Sequence, residues 1–242
     1  MKLKLKYLSL KNCSLAVLAV IGLWFASAIS SCGKNLNNNA INLNIKYQVI
    51  NLSPDVYPVD IYFNFVKTNP THFIYGVSQG YFSVPSLELP YYIRSANIAV
   101  DTPIISRTDT LKRNVQYSLF ITGDVAFNSI TTIFTVDTAT LPKIGRGKVR
   151  FVDASPSGTA GLDVYANGTK AFSKIIYPKY SDFVELPNGY YDFQINATGS
   201  STVLKTMTNV QIQDGRLYTL YAYGYTNRPD TAAFNAAMIT NR

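Results

Sequence analysis

The chain of 242 residues has two cysteines, one histidine, one tryptophan and only two glutamates, Glu88 and Glu185. Each scarcity excludes a chemistry. His72 alone cannot provide the two or three imidazoles of a histidine-based zinc site. With no partner constellation around it in the sequence, it reads as an exposed turn residue rather than the base of a Ser-His-Asp triad. Acidic residues are sparse and scattered, and the Asp55 and Asp153 regions lack the clustered oxygen ligands of a calcium loop. No metal and no cofactor is expected. A basic stripe is also missing: Lys143, Arg146, Lys148 and Arg150 form the one cationic cluster, which reads as a solvated linker and strand edge, so no nucleic-acid partner is expected.

What the chain does have begins at its N-terminus. Lys2, Lys4, Lys6 and Lys11 precede an apolar run from Ser14 to Ile29, and then come Ser30, Ser31, Cys32 and Gly33. A basic start, an apolar core and small residues at a cleavage point are the parts of an export signal. The run falls short of the roughly 20 apolar residues of a spanning helix. Ile29-Ser-Ser-Cys32 resembles the lipobox of a bacterial lipoprotein signal peptide, with Cys32 as the lipidated residue and the new N-terminus. Residues 1–31 are then the signal and 32–44, Asn-rich and polar, a flexible tether.

This reading accounts for the cysteines and part of the charge. Cys13 lies in the signal and Cys32 carries lipid, so the mature chain has no free thiol and no disulfide. Thiol catalysis and iron–sulfur ligation drop out, and stability rests on ordinary burial. The net charge of +8 falls to +4 once the four signal lysines are removed, leaving 18 basic and 14 acidic residues. The expected partner is a membrane, reached through lipid on Cys32. The expected location is the cell envelope, on the outer membrane, with its face undetermined.

The remaining 200 or so residues repeat themselves. Tyr47-Gln-Val-Ile-Asn-Leu-Ser-Pro54 returns as Val149-Arg-Phe-Val-Asp-Ala-Ser-Pro156. Val59-Asp-Ile-Tyr-Phe-Asn64 returns as Leu162-Asp-Val-Tyr-Ala-Asn167. Phe82-Ser-Val-Pro85 answers Val184-Glu-Leu-Pro187, and Val115–Gly123 answers Arg216–Gly224, all at offsets of 101 to 103 residues. A duplication follows, with a first module over 45–141 and a second over 145–242.

Both copies read as β. Asn167-Gly168, Asn188-Gly189 and Asp214-Gly215 have hairpin-turn chemistry and sit between segments rich in Val, Ile, Tyr, Phe and Thr. No stretch after residue 45 holds a helical period. The expected fold is all-β: two tandem immunoglobulin-like or transthyretin-like β-sandwich domains. In the first copy the segment Lys67–His72 stands where the second has its Asn-Gly turn, which predicts a looser hairpin there.

Val149–Pro156, Leu162-Asp-Val-Tyr-Ala-Asn-Gly168, Leu186-Pro-Asn-Gly-Tyr190 and Gly215-Arg-Leu-Tyr-Thr-Leu220 together resemble the bacterial domain of unknown function 4397. The second copy fits that pattern over about residues 145–226. The first departs from it at Asn64, which lacks the following glycine, and after Pro85. The resemblance implies exported β-sandwich modules and assigns no catalytic residue.

Two features are candidates for chemistry or binding. Asp60 and Asp163 are equivalent positions, one per copy, so neither module holds the facing carboxyl pair that a glycosidase needs; each reads as a structural partner of a nearby turn. Tyrosine, by contrast, occurs 18 times. In Tyr218–Tyr225 alternation puts Tyr218, Leu220 and Ala222 on one face and Tyr221, Tyr223 and Tyr225 on the other. With the first set in the core, Tyr221, Tyr223 and Tyr225 become a candidate binding platform for a glycan or protein ligand, unless the row only pairs across strands or is covered by the other domain. The function expected from all this is non-enzymatic: a membrane-anchored envelope lipoprotein serving in binding, adhesion or assembly. The alternative is a glycan-binding accessory lipoprotein of an outer-membrane polysaccharide-uptake system.

Overall fold

Strand burial distinguishes two kinds of sheet, and that difference explains the architecture. The computed structural model describes residues 44–84, 89–97, 103–157 and 160–242; the signal segment, Cys32 and the tether up to residue 43 lie outside them. The first copy contains β1 (Lys46–Asn51), β2 (Val59–Phe63), β3 (Val66–Lys67), β4 (Phe82–Ser83), β5 (Tyr91–Ser95), β6 (Pro103–Arg107), β7 (Gln116–Thr122) and β8 (Thr131–Val136). The second contains β9 (Arg146–Ala154), β10 (Leu162–Ala166), β11 (Thr169–Ile175), β12 (Lys179–Tyr180), β13 (Val184–Pro187), β14 (Gly189–Ala197), β15 (Val203–Ile212), β16 (Leu217–Tyr223) and β17 (Asn235–Thr240). The described residues form no helix. The fold is all-β, as the turn and strand pattern predicts.

Each copy is a sandwich of two sheets with the same wiring. In the first, the order β4-β1-β7-β8 faces β3-β2-β5-β6; in the second, β13-β9-β16-β17 faces β11-β10-β14-β15, with β12 also on β9. The first strand of each copy runs parallel to the penultimate one, β1 with β7 and β9 with β16, and the other pairings are antiparallel. Tyr47, Val49, Ile61, Phe63, Ile93 and Leu119 fill one core. Val149, Phe151, Val164, Phe193, Ile195 and Leu220 fill the other.

In the outer sheet of the first copy β5 alternates, as a half-buried strand should: Tyr91, Ile93 and Ser95 are buried while Tyr92 and Arg94 between them are partly exposed. The central inner strands do not alternate. Every residue of β16 is buried, as is all of β7 beyond Gln116. The reason is a third core, built from Ile50, Leu52, Phe120 and Ile133 of the first copy and Val152, Ala154, Tyr221, Tyr223 and Ile239 of the second. The two inner sheets therefore pack on each other through their outward faces, giving four layers of sheet with three apolar seams. Residues 43–242 are one compact unit. With each fully buried large apolar side chain worth about 1.5–3 kcal/mol, the middle seam couples the two copies strongly.

Local devices are duplicated along with the topology. The Tyr117 hydroxyl accepts a hydrogen bond from the Lys112 amide at 2.8 Å, and Tyr218 accepts one from the Gln213 amide at 3.1 Å. Ser53 Oγ donates to the Gly123 carbonyl and Ser155 Oγ to the Gly224 carbonyl, both at 2.6 Å. Gly123 and Gly224 have φ of +87° and +78°, and a Cβ on either would lie within 2.4 Å of a backbone carbonyl oxygen. Only glycine fits these two corners.

One expectation about the first copy is corrected. Its hairpin is not opened by Lys67–His72: Asn64 and Phe65 form a two-residue turn with φ of 46° and 61°, and Phe63 pairs directly with Val66. The turn is as tight as that of Asn167-Gly168, with φ of 48° and 77°. The extra residues follow β3 instead.

Candidate functional site

Tyr221 and Tyr223 lie where alternation puts them, on the face of β16 opposite Tyr218, Leu220 and Ala222, while Tyr225 falls just past the end of the strand, after Gly224. That face is not open. Tyr221 and Tyr223 are 2% and 8% exposed. The Tyr221 ring packs on Phe120 of the first copy at 5.4 Å between centroids, and Tyr223 meets Tyr75 edge-on at 6.1 Å. Tyr225 donates a hydrogen bond to Asp124, also in the first copy. Burial pushes the Tyr221 and Tyr223 hydroxyls upward from the usual phenol pKa. The row is thus the seam between copies rather than a binding platform. The physical reason is that β7 presents Phe120 outward, and two outward apolar faces exclude water best against each other.

A polar ring is set into the same seam. Arg150 donates to Asp137 and, at 2.8 Å each, to Thr135 Oγ1, the Val136 carbonyl and Thr219 Oγ1. Thr219 donates to Asn241 Oδ1 at 2.7 Å, Asn241 Nδ2 to Tyr81 at 2.8 Å, and Tyr81 to Asp137 Oδ2 at 2.6 Å, which closes the circuit. Ser118 also donates to Asp137. Arg150 is therefore not part of a solvated edge. It is among the largest fully buried side chains of the described residues, and its charge is matched by Asp137 rather than by water.

The smaller candidates serve as structural partners. Asp60 accepts from Asn69 Nδ2 at 2.7 Å and lies 3.1 Å from Lys67 Nζ and 2.8 Å from His72 Nδ1. Burial alone would raise its pKa, but these partners hold it below the ordinary carboxylate value. Asp163 accepts from Lys170 at 2.7 Å and from the Lys174 amide at 2.8 Å, with the same net direction. Asp55 caps the amides of Val125 and Ala126 at 2.9 Å each, and Asp153 caps that of Ser155 at 3.0 Å. Among the described residues no three His, Cys, Asp or Glu side chains gather as metal ligands.

A concave site appears elsewhere, at one side of the second sandwich. Between the β10–β11 hairpin and the β13–β14 corner lies an open-sided cavity of about 450 Å³. Its walls include Ala166, Lys170, Ala171, Val184, Leu186 and Tyr191, and most of these also pack on the second core. Tyr191 donates to the Pro187 carbonyl at 2.9 Å, pinning the corner, and its ring stacks on Phe193. The Lys170 amine lies 5.3 Å from the Tyr165 ring centroid while bonded to Asp163. The lining holds no histidine, carboxylate or thiol. A mostly apolar hollow of this size with a few polar atoms at its rim suits binding.

The family model of Domain of unknown function (DUF4397) matches residues 46–160 and 157–241. The chain belongs to this family. The two matched segments are consistent with two copies of the domain: the first spans β1–β8 and takes in β9 as well, and the second spans β10–β17. Among curated proteins nothing matches the chain. The groove belongs to the second DUF4397 copy: β11 and β13 are seven and four residues long, whereas their first-copy equivalents β3 and β4 have two each. The longer strands extend the walls of the hollow. Sequence reasoning missed it because the walls come from hairpins about twenty residues apart, with no motif joining them.

Proposed function

We propose that this DUF4397 protein is a lipid-anchored component of the bacterial cell envelope that acts by binding, with the groove of the second copy as its ligand site. The single observation that supports the binding role is that groove: core residues Val184 and Leu186 stay partly accessible there instead of being closed over. The anchoring half of the proposal rests on the lipobox at Cys32. A single acyl chain binds membranes only marginally, so stable residence calls for the multiple chains of a processed lipoprotein.

Both halves have direct tests. Cys32→Ala should abolish labelling by radioactive palmitate and shift the protein out of the detergent phase; continued labelling would remove the anchor from the proposal. For the groove, Ala171→Trp fills the hollow. In detergent micelles, wild-type protein should bind the apolar probe 1-N-phenylnaphthylamine saturably and the variant should not. Equal binding by both would rule the groove out. The alternative, a glycan-binding accessory protein of a polysaccharide-uptake system, no longer has Tyr221, Tyr223 and Tyr225 as an open platform and needs another surface.

A further inference from the structure

The two copies diverge most informatively at the β2–β3 turn. The second copy has Gly168 in the left-handed second position; the first has Phe65, at φ +61° and 74% exposed. A bulky residue is a genuine outlier in that region, and such strain concentrates at functional sites. The ring is not spent on the core. It stacks on Tyr92 of β5, 6.1 Å between centroids and 28° between planes. The Arg94 guanidinium lies 5.9 Å from the Tyr92 ring centroid and 5.5 Å from that of Tyr62.

Phe65, Tyr92, Arg94 and Tyr62 thus form one continuous strip on the outer face of the first sandwich. Asp60, opposite Arg94 in the strand register, is buried and paired with Lys67, so the polar group that the strip itself presents is the Arg94 guanidinium. By register, the corresponding positions of the second copy hold Gly168, Gln194, Asn196 and Tyr165, so only one of the three rings recurs.

We infer that this strip is a saccharide-binding face that takes pyranose rings of a polysaccharide. The chemistry is complementary. A pyranose offers an apolar C–H face, which the exposed Phe65 ring and the partly exposed Tyr92 and Tyr62 rings accept, and a rim of hydroxyls, which the Arg94 guanidinium and the tyrosine hydroxyls engage. Amphipathic aromatics suit a surface that must stay wet while offering an apolar plane. An added peptide strand would need a long free edge, and β3 has only two residues. This inference rests on the binding reading but not on the groove, so the two fail separately.

The test uses the full lipoprotein in detergent micelles, run by affinity electrophoresis through gels containing xylan, mixed-linkage β-glucan, mannan or amylose. Wild type should be retarded by at least one of them. Phe65→Gly should weaken that retardation at least tenfold while Tm holds or rises, since glycine fits the turn without strain. Tyr92→Gln should weaken it similarly, and Ala171→Trp should leave it unchanged. Retardation by none of the four would overturn the inference, as would equal retardation of Phe65→Gly. Concentration-dependent self-association abolished by Phe65→Gly would assign the strip to a second copy of the chain and overturn it too.

Discussion

Arg150 of the second copy donates to Asp137 of the first with both side chains out of water, 2% and 0% exposed. Among the described residues it is the only ion pair that joins the two sandwiches, and it depends on both partners being present.

Removing one partner should be costly. Arg150→Met leaves the Asp137 carboxylate buried with only neutral donors, and the expected loss is about 3–5 kcal/mol in urea unfolding. Arg150→Lys should recover little, because an ammonium cannot fork to Thr135, Val136 and Thr219 together. Adding Asp137→Asn to Arg150→Met should restore part of the loss. A single-variant cost below about 1 kcal/mol, the range of surface pairs, would mean that water reaches the seam.

The Tyr221 ring makes a second test of the same seam. Tyr221→Ala removes a buried aromatic from contact with Phe120 and should cost about 3–5 kcal/mol. Replacing Tyr221, Tyr223 and Tyr225 together with Ser should unfold the protein at ordinary temperature. The check is near-ultraviolet circular dichroism with a thermal melt. Native-like melting of the triple variant would reopen the row as a solvent-facing platform.

The seam also shows where sequence reasoning reached its limit. The duplication was legible because turn dipeptides and strand ends recur at a near-constant offset, and those residues answer to local backbone geometry. How the two copies pack was not. Gln48, Ser118, Arg150 and Thr219 alternate with core residues, the signature of a solvated face, yet they satisfy one another in a buried network. A polar residue facing water and one facing a matched partner look alike in one dimension. Phe65 was visible as a missing glycine at a turn; that the turn stays tight, with the ring outside, required the backbone.

Asp153 and its counterpart Asn51 give a pH-dependent prediction. Both side chains are buried and each Oδ1 caps the amide two residues on, at 3.0 Å for Asp153 and 3.1 Å for Asn51. The amide does this without charge. The carboxylate does not, and burial pushes its pKa from 3.8 up to about 7 against the lowering pull of the Ser155 and Tyr177 amides. A folded pKa above the unfolded one means that more protons are bound when folded. The contribution is therefore full below about pH 4, is lost as pH rises towards 7, and is flat beyond. Its size is on the order of 4 kcal/mol across that window. Asp55, Asp60 and Asp163 have lowered values and act in the opposite sense, losing their contributions as pH falls below the ordinary carboxylate range. Comparing wild type with Asp153→Asn isolates the one group. The variant should be more stable than wild type at pH 8 and about equal at pH 4, read from urea midpoints at each pH. A constant difference between the two proteins from pH 4 to 8 would show that Asp153 stays ionised in the folded state, held by a donor beyond the two amides.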